Sequence, residues 1–208
     1  MVPLWAQESV RERKPAEVMS FHGADWLERA GRDEEQQPEK VMAIMGVQAG
    51  DAVADIGSGS GYFARHMAKV VGPEGKVYGQ DIQPEMLEIL KQKAAAENIT
   101  NIEAVLGVED DPKLPPLSLD WVILVDVYHE FQQPQPMLAK IRDCLKPAGK
   151  VALIEYRLVG ETAKHIRAEH RMSVSQVLKE WSPSGYKLVE LHEFLPTQHL
   201  FILGKDEG

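Results

Sequence analysis

The chain alternates between two kinds of apolar pattern. Short runs that are apolar throughout, "AVADIG" with Val53 and Ile56, "KVYGQD", "NIEAVLG", "DWVILVD" and "KVALIEY", read as strands covered on both faces. Between them lie segments with helical spacing. "PEKVMAIMGV" opens on Pro38 and closes on Gly46, and the next stretch carries Phe63, Met67, Val70 and Val71 at i, i+4, i+7 and i+8. "PEMLEILKQKAAAEN" opens on Pro84 and carries Leu87, Leu90 and Ala94 on one face, and "PMLAKIRDCLK" is predicted to stop at Pro147 and Gly149. Strand and helix thus alternate every 20–30 residues or so, the signature of right-handed βαβ units on a parallel sheet.

After the fifth strand the pattern changes. Residues 160–182 read as helical, with Ser173 and Gln176 spaced as a capping box. "KLVELHEF" and "HLFILGK" follow as a strand pair around "LPTQ". Residues 1–37 are polar and weakly periodic, a helical or irregular cap in which Trp26 and Leu27 anchor a short helix. The expected organisation is that cap, then one α/β domain over residues 38–208 with a helical insert at about 157–183.

Composition narrows the function classes. The 208 residues carry 23 Lys and Arg against 32 Asp and Glu, a formal charge of −9, so an unaided grip on nucleic acid or anionic lipid is not expected. The single cysteine, Cys144, excludes a disulfide framework and a Cys-rich zinc site. No apolar run approaches the roughly 18 residues of a membrane helix. A cytoplasmic protein is expected, the alternative being export after trimming of "MVPLWA" behind Ala6.

The candidate chemistry starts at "VADIGSGSGYF", where a strand ends and a helix begins. Ligands of open α/β sheets bind there, and Gly57, Gly59 and Gly61 let backbone approach a ligand closely. The third glycine comes one residue too early for a dinucleotide fingerprint, with Tyr62 following it, and the Lys of a P-loop is absent. Asp55 precedes the loop. A carboxylate there repels a pyrophosphate and suits an ammonium, which points to a nucleoside bearing an amino acid: S-adenosylmethionine. Asp81, closing the second strand, is placed to accept both ribose hydroxyls, with Ile82 beside it for the adenine face. After the third strand, Glu109 or Asp110 can accept from the adenine amino group, and the backbone of Val108 can touch the ring.

Taken in order, "VADIGSGSGYF", "VYGQDIQPEML", "LDWVILVDVYHEF" and "MLAKIRDCLKPAGKVALIEY" resemble the motifs of class I S-adenosylmethionine-dependent methyltransferases. The resemblance covers about residues 38–205. It is similar above all to the small domains akin to ubiquinone and menaquinone C-methyltransferases and arsenite methyltransferases. It implies a Rossmann-like, doubly wound sheet of seven strands with the last antiparallel, and methyl transfer to a small-molecule acceptor by in-line displacement. It also implies that the segment before the first strand shapes the acceptor site, with His22, Trp26 and Leu27 as candidates. The arsenite enzymes depend on several cysteines, which this chain lacks.

The methyl group is expected to face "DVYHEF". There Asp126 can reach the cofactor's amino-acid part or the acceptor, His129 is the candidate general base, and Tyr128 or Glu130 can line the acceptor pocket. Beyond the fifth strand, Glu155 and Arg157 flank "RLVGETAKHIRAEHRMS". On a continuous helix His165 and Glu169 share a face while His170 points elsewhere, so these residues read as a solvated helix, and no metal site is expected. The readings kept beside methyl transfer are a nicotinamide-dependent oxidoreductase and a protein that binds S-adenosylmethionine without catalysis.

Overall fold

A computed structural model describes residues 14–160 and 162–208. The alternative trimming site behind Ala6 lies outside the described residues. Helices α1 (Arg32–Gln36) and α2 (Pro38–Met45) precede strand β1 (Ala52–Ile56). Then come α3 (Tyr62–Val71), β2 (Lys76–Asp81), α4 (Pro84–Ala96), β3 (Ile102–Leu106), β4 (Leu119–Val125), α5 (Pro134–Cys144) and β5 (Leu145–Arg157). The rest is α6 (Thr162–His165), a two-residue β6 (Arg171–Met172), α7 (Val174–Trp181), β7 (Tyr186–His192) and β8 (Gln198–Lys205).

The sheet runs β3-β2-β1-β4-β5-β8-β7, with β6 added beside β5. The pairs from β3 to β5 are parallel, β8 lies antiparallel to β5, and β7 is antiparallel to β8. This is the class I methyltransferase fold expected from the motifs.

Both faces of the central strands are buried, as their unbroken apolar runs require. Along β4, Val122 and Leu124 pack with Leu138 and Ile141 of α5 and Val177 and Trp181 of α7. The alternate residues Trp121 and Ile123 join Val41, Phe63, Met67 and Leu90 on the opposite face.

Two elements depart from expectation. Helix α5 ends at Cys144 rather than at Pro147, and Leu145 is already extended (φ −70°, ψ 137°). Pro147 disfavours helical backbone at the residue before it, so β5 begins early. The second departure is the insert, which is not one helix. Arg167 is extended (φ −60°, ψ 150°), and a 3-10 turn over Ala168–His170 leads into β6, which pairs with Tyr156 and Arg157 of β5. The capping box holds: Ser173 accepts from the Gln176 amide, and α7 starts there.

The winding direction reverses between β1 and β4, and the cleft of such a sheet opens there, at the carboxyl ends of the strands. Residues 14–37 cross those ends. The Ala16 amide donates to the His129 carbonyl (3.0 Å), and Phe21 and Met19 exchange hydrogen bonds with the Gln83 side chain (3.0 and 2.9 Å). Further on, Glu28 accepts from Ser60 (2.6 Å) and pairs with Arg65 (2.7 Å). Among the described residues, no helix is long and apolar enough to cross a membrane.

Candidate functional site

The cleft has a volume of about 1000 Å³. Its inner end is the turn from β1 into α3. Gly59 has φ +53°, and a Cβ there would meet the Leu27 side chain at 2.6 Å, so a side chain is excluded both by backbone strain and by contact. Gly61 caps α3, where an added Cβ would strike Leu90 at 2.6 Å.

Two carboxylates hold this loop. Asp55 is buried at the end of β1 and accepts from the Ala64 amide in the first turn of α3 (3.0 Å). Burial pushes its pKa up to about 7, partly offset by that amide and by Arg32. Asp81 ends β2 and accepts from the Gly59 and Gln83 amides at 2.9 Å each. Burial raises its pKa against those two bonds. A carboxylate has about four lone-pair sites, so each Asp81 oxygen keeps room for a ribose hydroxyl.

The middle of the cleft is set by Asp126, directly after β4, whose backbone is left-handed (φ +52°). Short polar side chains tolerate that conformation. Gln36 donates to it (3.0 Å) and so does Gln198 (2.7 and 2.6 Å). Burial and the nearby Glu155 push its pKa up to about 7. Arg32 lies buried beside it, bonded to Gln36 (2.7 Å) and the Leu27 carbonyl, with its guanidinium over the Tyr62 ring. Burial lowers its pKa while Asp126 supports its charge.

At the outer end His129 is buried, its Nδ1 2.6 Å from Glu155, which is fully buried in β5. The His129 amide also donates to Glu155 (3.2 Å). Burial alone lowers the imidazole pKa, but Glu155 reverses the direction and the net shift is upward. His129 Nε2 lies 3.0 Å from Nδ1 of His170. Glu130 accepts from the Met19 amide (3.3 Å), and burial raises its pKa to about 7.

Of the residues expected from sequence, Asp55, Gly57, Gly59, Asp81, Ile82, Glu109, Asp126, His129 and Glu130 border the cleft, as do Trp26 and Leu27. Others do not. The Tyr128 ring turns into the core against Trp181 (5.2 Å) and its hydroxyl donates to Glu180 (2.7 Å), so it lines no acceptor pocket. Tyr62 sits behind the loop, its hydroxyl on Asp33. Val108 and Asp110 lie on the open surface, Val108 pairing with Asp111 across a tight turn. The His22 ring packs on Phe21 instead (4.0 Å). Arg157 points outward to Glu193 (2.7 Å). Arg32, Gln36 and Gln198 carried no local signal in the sequence, because their contacts join segments far apart in the chain.

A doubly wound sheet with acids, and not a cluster of Lys and Arg, around its glycine loop defines an S-adenosylmethionine-dependent methyltransferase. A family profile described as "Methyltransferase domain" matches residues 48–196, and the chain belongs to that family. The nicotinamide alternative falls with this. The chain is 31% identical over 117 residues to a demethylmenaquinone methyltransferase of Geobacillus kaustophilus, covering 56% of this chain and 50% of that one. It thus spans about half the length of the curated relatives it matches. Among solved structures, a SAM-dependent methyltransferase from Aquifex aeolicus superposes with a TM-score of 0.84 at 25% identity, covering 89% of this chain and 98% of that one. A phosphoethanolamine N-methyltransferase from Haemonchus contortus shares the fold, with a TM-score of 0.64 at 20% identity over 86% of this chain and 47% of that one.

Proposed function

We propose that this chain methylates a small, largely apolar acceptor through an oxygen or an acidic carbon. The observation that carries this reading is the division of the cleft. One end is a buried pair of carboxylates around a glycine loop, and the other combines an apolar wall of Val18, Met19, Phe131 and Ile166 with the polar group His129. When bound, S-adenosylmethionine supplies an electrophilic methyl group on its sulfonium. The chain supplies alignment and a dry site.

In this reading Asp81 accepts from the ribose hydroxyls, while Ile82 and Met86 cover the adenine and Glu109 accepts from its amino group. Asp55 faces the ammonium, and Arg32 pairs with the amino-acid carboxylate. Asp126, fixed by Gln36 and Gln198, sets the floor beside the sulfonium. Residues 14–37 close the open side and exclude water. His129, oriented by Glu155, presents Nε2 to the reacting atom of the acceptor. The similarity to demethylmenaquinone methyltransferases supports an aromatic, quinol-like acceptor, and the negative charge of the chain disfavours nucleic acid.

Titration calorimetry with S-adenosylhomocysteine and, separately, NADH tests the cofactor half. One S-adenosylhomocysteine per chain and no NADH uptake is expected. Transfer of tritium from methyl-labelled cofactor to a panel of phenols and hydroquinones tests the acceptor half. Label in the organic extract is expected, and label found only in added peptide or RNA would contradict the acceptor class.

A further inference from the structure

The outer end of the cleft holds a cluster that cofactor binding does not use. One ligand atom each of His129, Glu130 and His170 lie within 4.8 Å of one another. His129 and Glu130 sit in the 3-10 turn over Tyr128–Glu130, and His170 ends the turn over Ala168–His170. The break in the insert brings the third group in; on a continuous helix it would point away. We propose that His129, Glu130 and His170 bind a divalent transition-metal ion, Zn²⁺ by ligand type, at the acceptor end of the cleft.

Four features support this. Two imidazoles and one carboxylate form a donor set suited to Zn²⁺ or Fe²⁺. The spacing fits: two ligands about 2.1 Å from a tetrahedral ion stand roughly 3.4 Å apart, so small side-chain adjustments close the cluster on an ion. The ring of His129 is already oriented, because its Nδ1 is engaged by Glu155 at 2.6 Å and its Nε2 is turned to the cluster. That carboxylate–histidine pairing is the usual support of a metal-ligating histidine. Finally, all three residues line the cleft, so an ion has a path to them.

Three protein ligands leave a coordination position open toward the cleft. An acceptor hydroxyl held there would be acidified by the ion, would give its proton to water, and would form its bond to the methyl carbon as the methyl–sulfur bond breaks, leaving S-adenosylhomocysteine. His129 then acts on the acceptor through the ion. This last role rests on the methyl-transfer reading; binding of the ion does not.

The test uses the whole protein, stripped with a chelator and free of cofactor, titrated with Zn²⁺ by calorimetry and with Co²⁺ by visible absorption. One ion per chain and tetrahedral-type Co²⁺ bands are expected. His170→Ala should abolish stoichiometric binding, and Glu130→Gln, nearly isosteric, should weaken it at least tenfold. Glu155→Gln should cost about ten- to a hundredfold through the orientation of His129. Affinity for S-adenosylhomocysteine in His170→Ala reports that the fold is intact and separates this proposal from the cofactor assignment. Failure of the wild-type protein to take up Zn²⁺, or equal uptake by His170→Ala, overturns the proposal and leaves a hydrogen bond between the two histidines only.

Discussion

The two ends of the cleft are built differently. The glycine-loop end comes from two short contiguous stretches, residues 55–61 and 81–83, joined by the Gly59 amide donating to Asp81. The outer end is assembled from the N-terminal segment, the turn after β4, the end of β5 and the broken insert. The contrast teaches that the cofactor end is a local device which the sheet presents, while the acceptor end is a long-range product of packing.

Substitutions at the cofactor end should act mainly on affinity, and the largest effect is expected at Gly59. Gly59→Val places a β-branched residue at positive φ against Leu27, and S-adenosylhomocysteine binding should disappear in calorimetry. Asp81→Ala removes the acceptor of both ribose hydroxyls and should weaken binding by about 1.5–3 kcal/mol, roughly ten- to a hundredfold, with the circular dichroism spectrum preserved.

Asp55 gives the pH dependence that belongs to this end alone. With its pKa raised to about 7, it is protonated below neutrality and loses its attraction for an ammonium. Affinity for S-adenosylhomocysteine should rise about tenfold from pH 6 to pH 8, and Asp55→Asn should flatten that rise. Without cofactor the sign reverses. A pKa raised above the unfolded value of about 3.9 contributes stability in full below that value, and the contribution is lost as pH rises through about 7. Unliganded Asp55→Asn should therefore gain on wild type in melting temperature as the pH is raised from 5 to 8.

The smallest effect sharpens the comparison at the outer end. Tyr128→Phe removes the hydrogen bond to Glu180 and should cost about 1 kcal/mol in urea denaturation, with methyl transfer unchanged. A large loss of turnover with normal stability would return Tyr128 to the acceptor site.

The same division explains what was legible in the sequence. The strands, the loop from Asp55 to Gly61 and the acid at Asp81 could be placed because each is a local pattern with a local cause. The antiparallel strand pair was legible from its spacing. The insert was not, because His165 and Glu169, like Arg167 and Arg171, keep an i, i+4 rhythm that the backbone does not follow. Pairing of Arg171 and Met172 with β5 outweighs that rhythm, and the Arg171 guanidinium binds the Leu158 carbonyl (2.8 Å). The capping box at Ser173 was the warning, since a helix that starts at Val174 cannot also run through it. Tyr128 was misplaced for a related reason: a 3-10 turn sends neighbouring side chains to opposite sides, one to the core and one to the cleft. Arg32 gives no local signal, because its partner Asp126 lies 94 positions away and only the folded sheet joins them.

A crystal structure of the complex with S-adenosylhomocysteine tests the central claim most directly. It should show both ribose hydroxyls on Asp81, the adenine beside Ile82 and the sulfur directed toward the His129 end. An adenosine bound outside the glycine loop, or a ribose that leaves Asp81 untouched, would contradict the account.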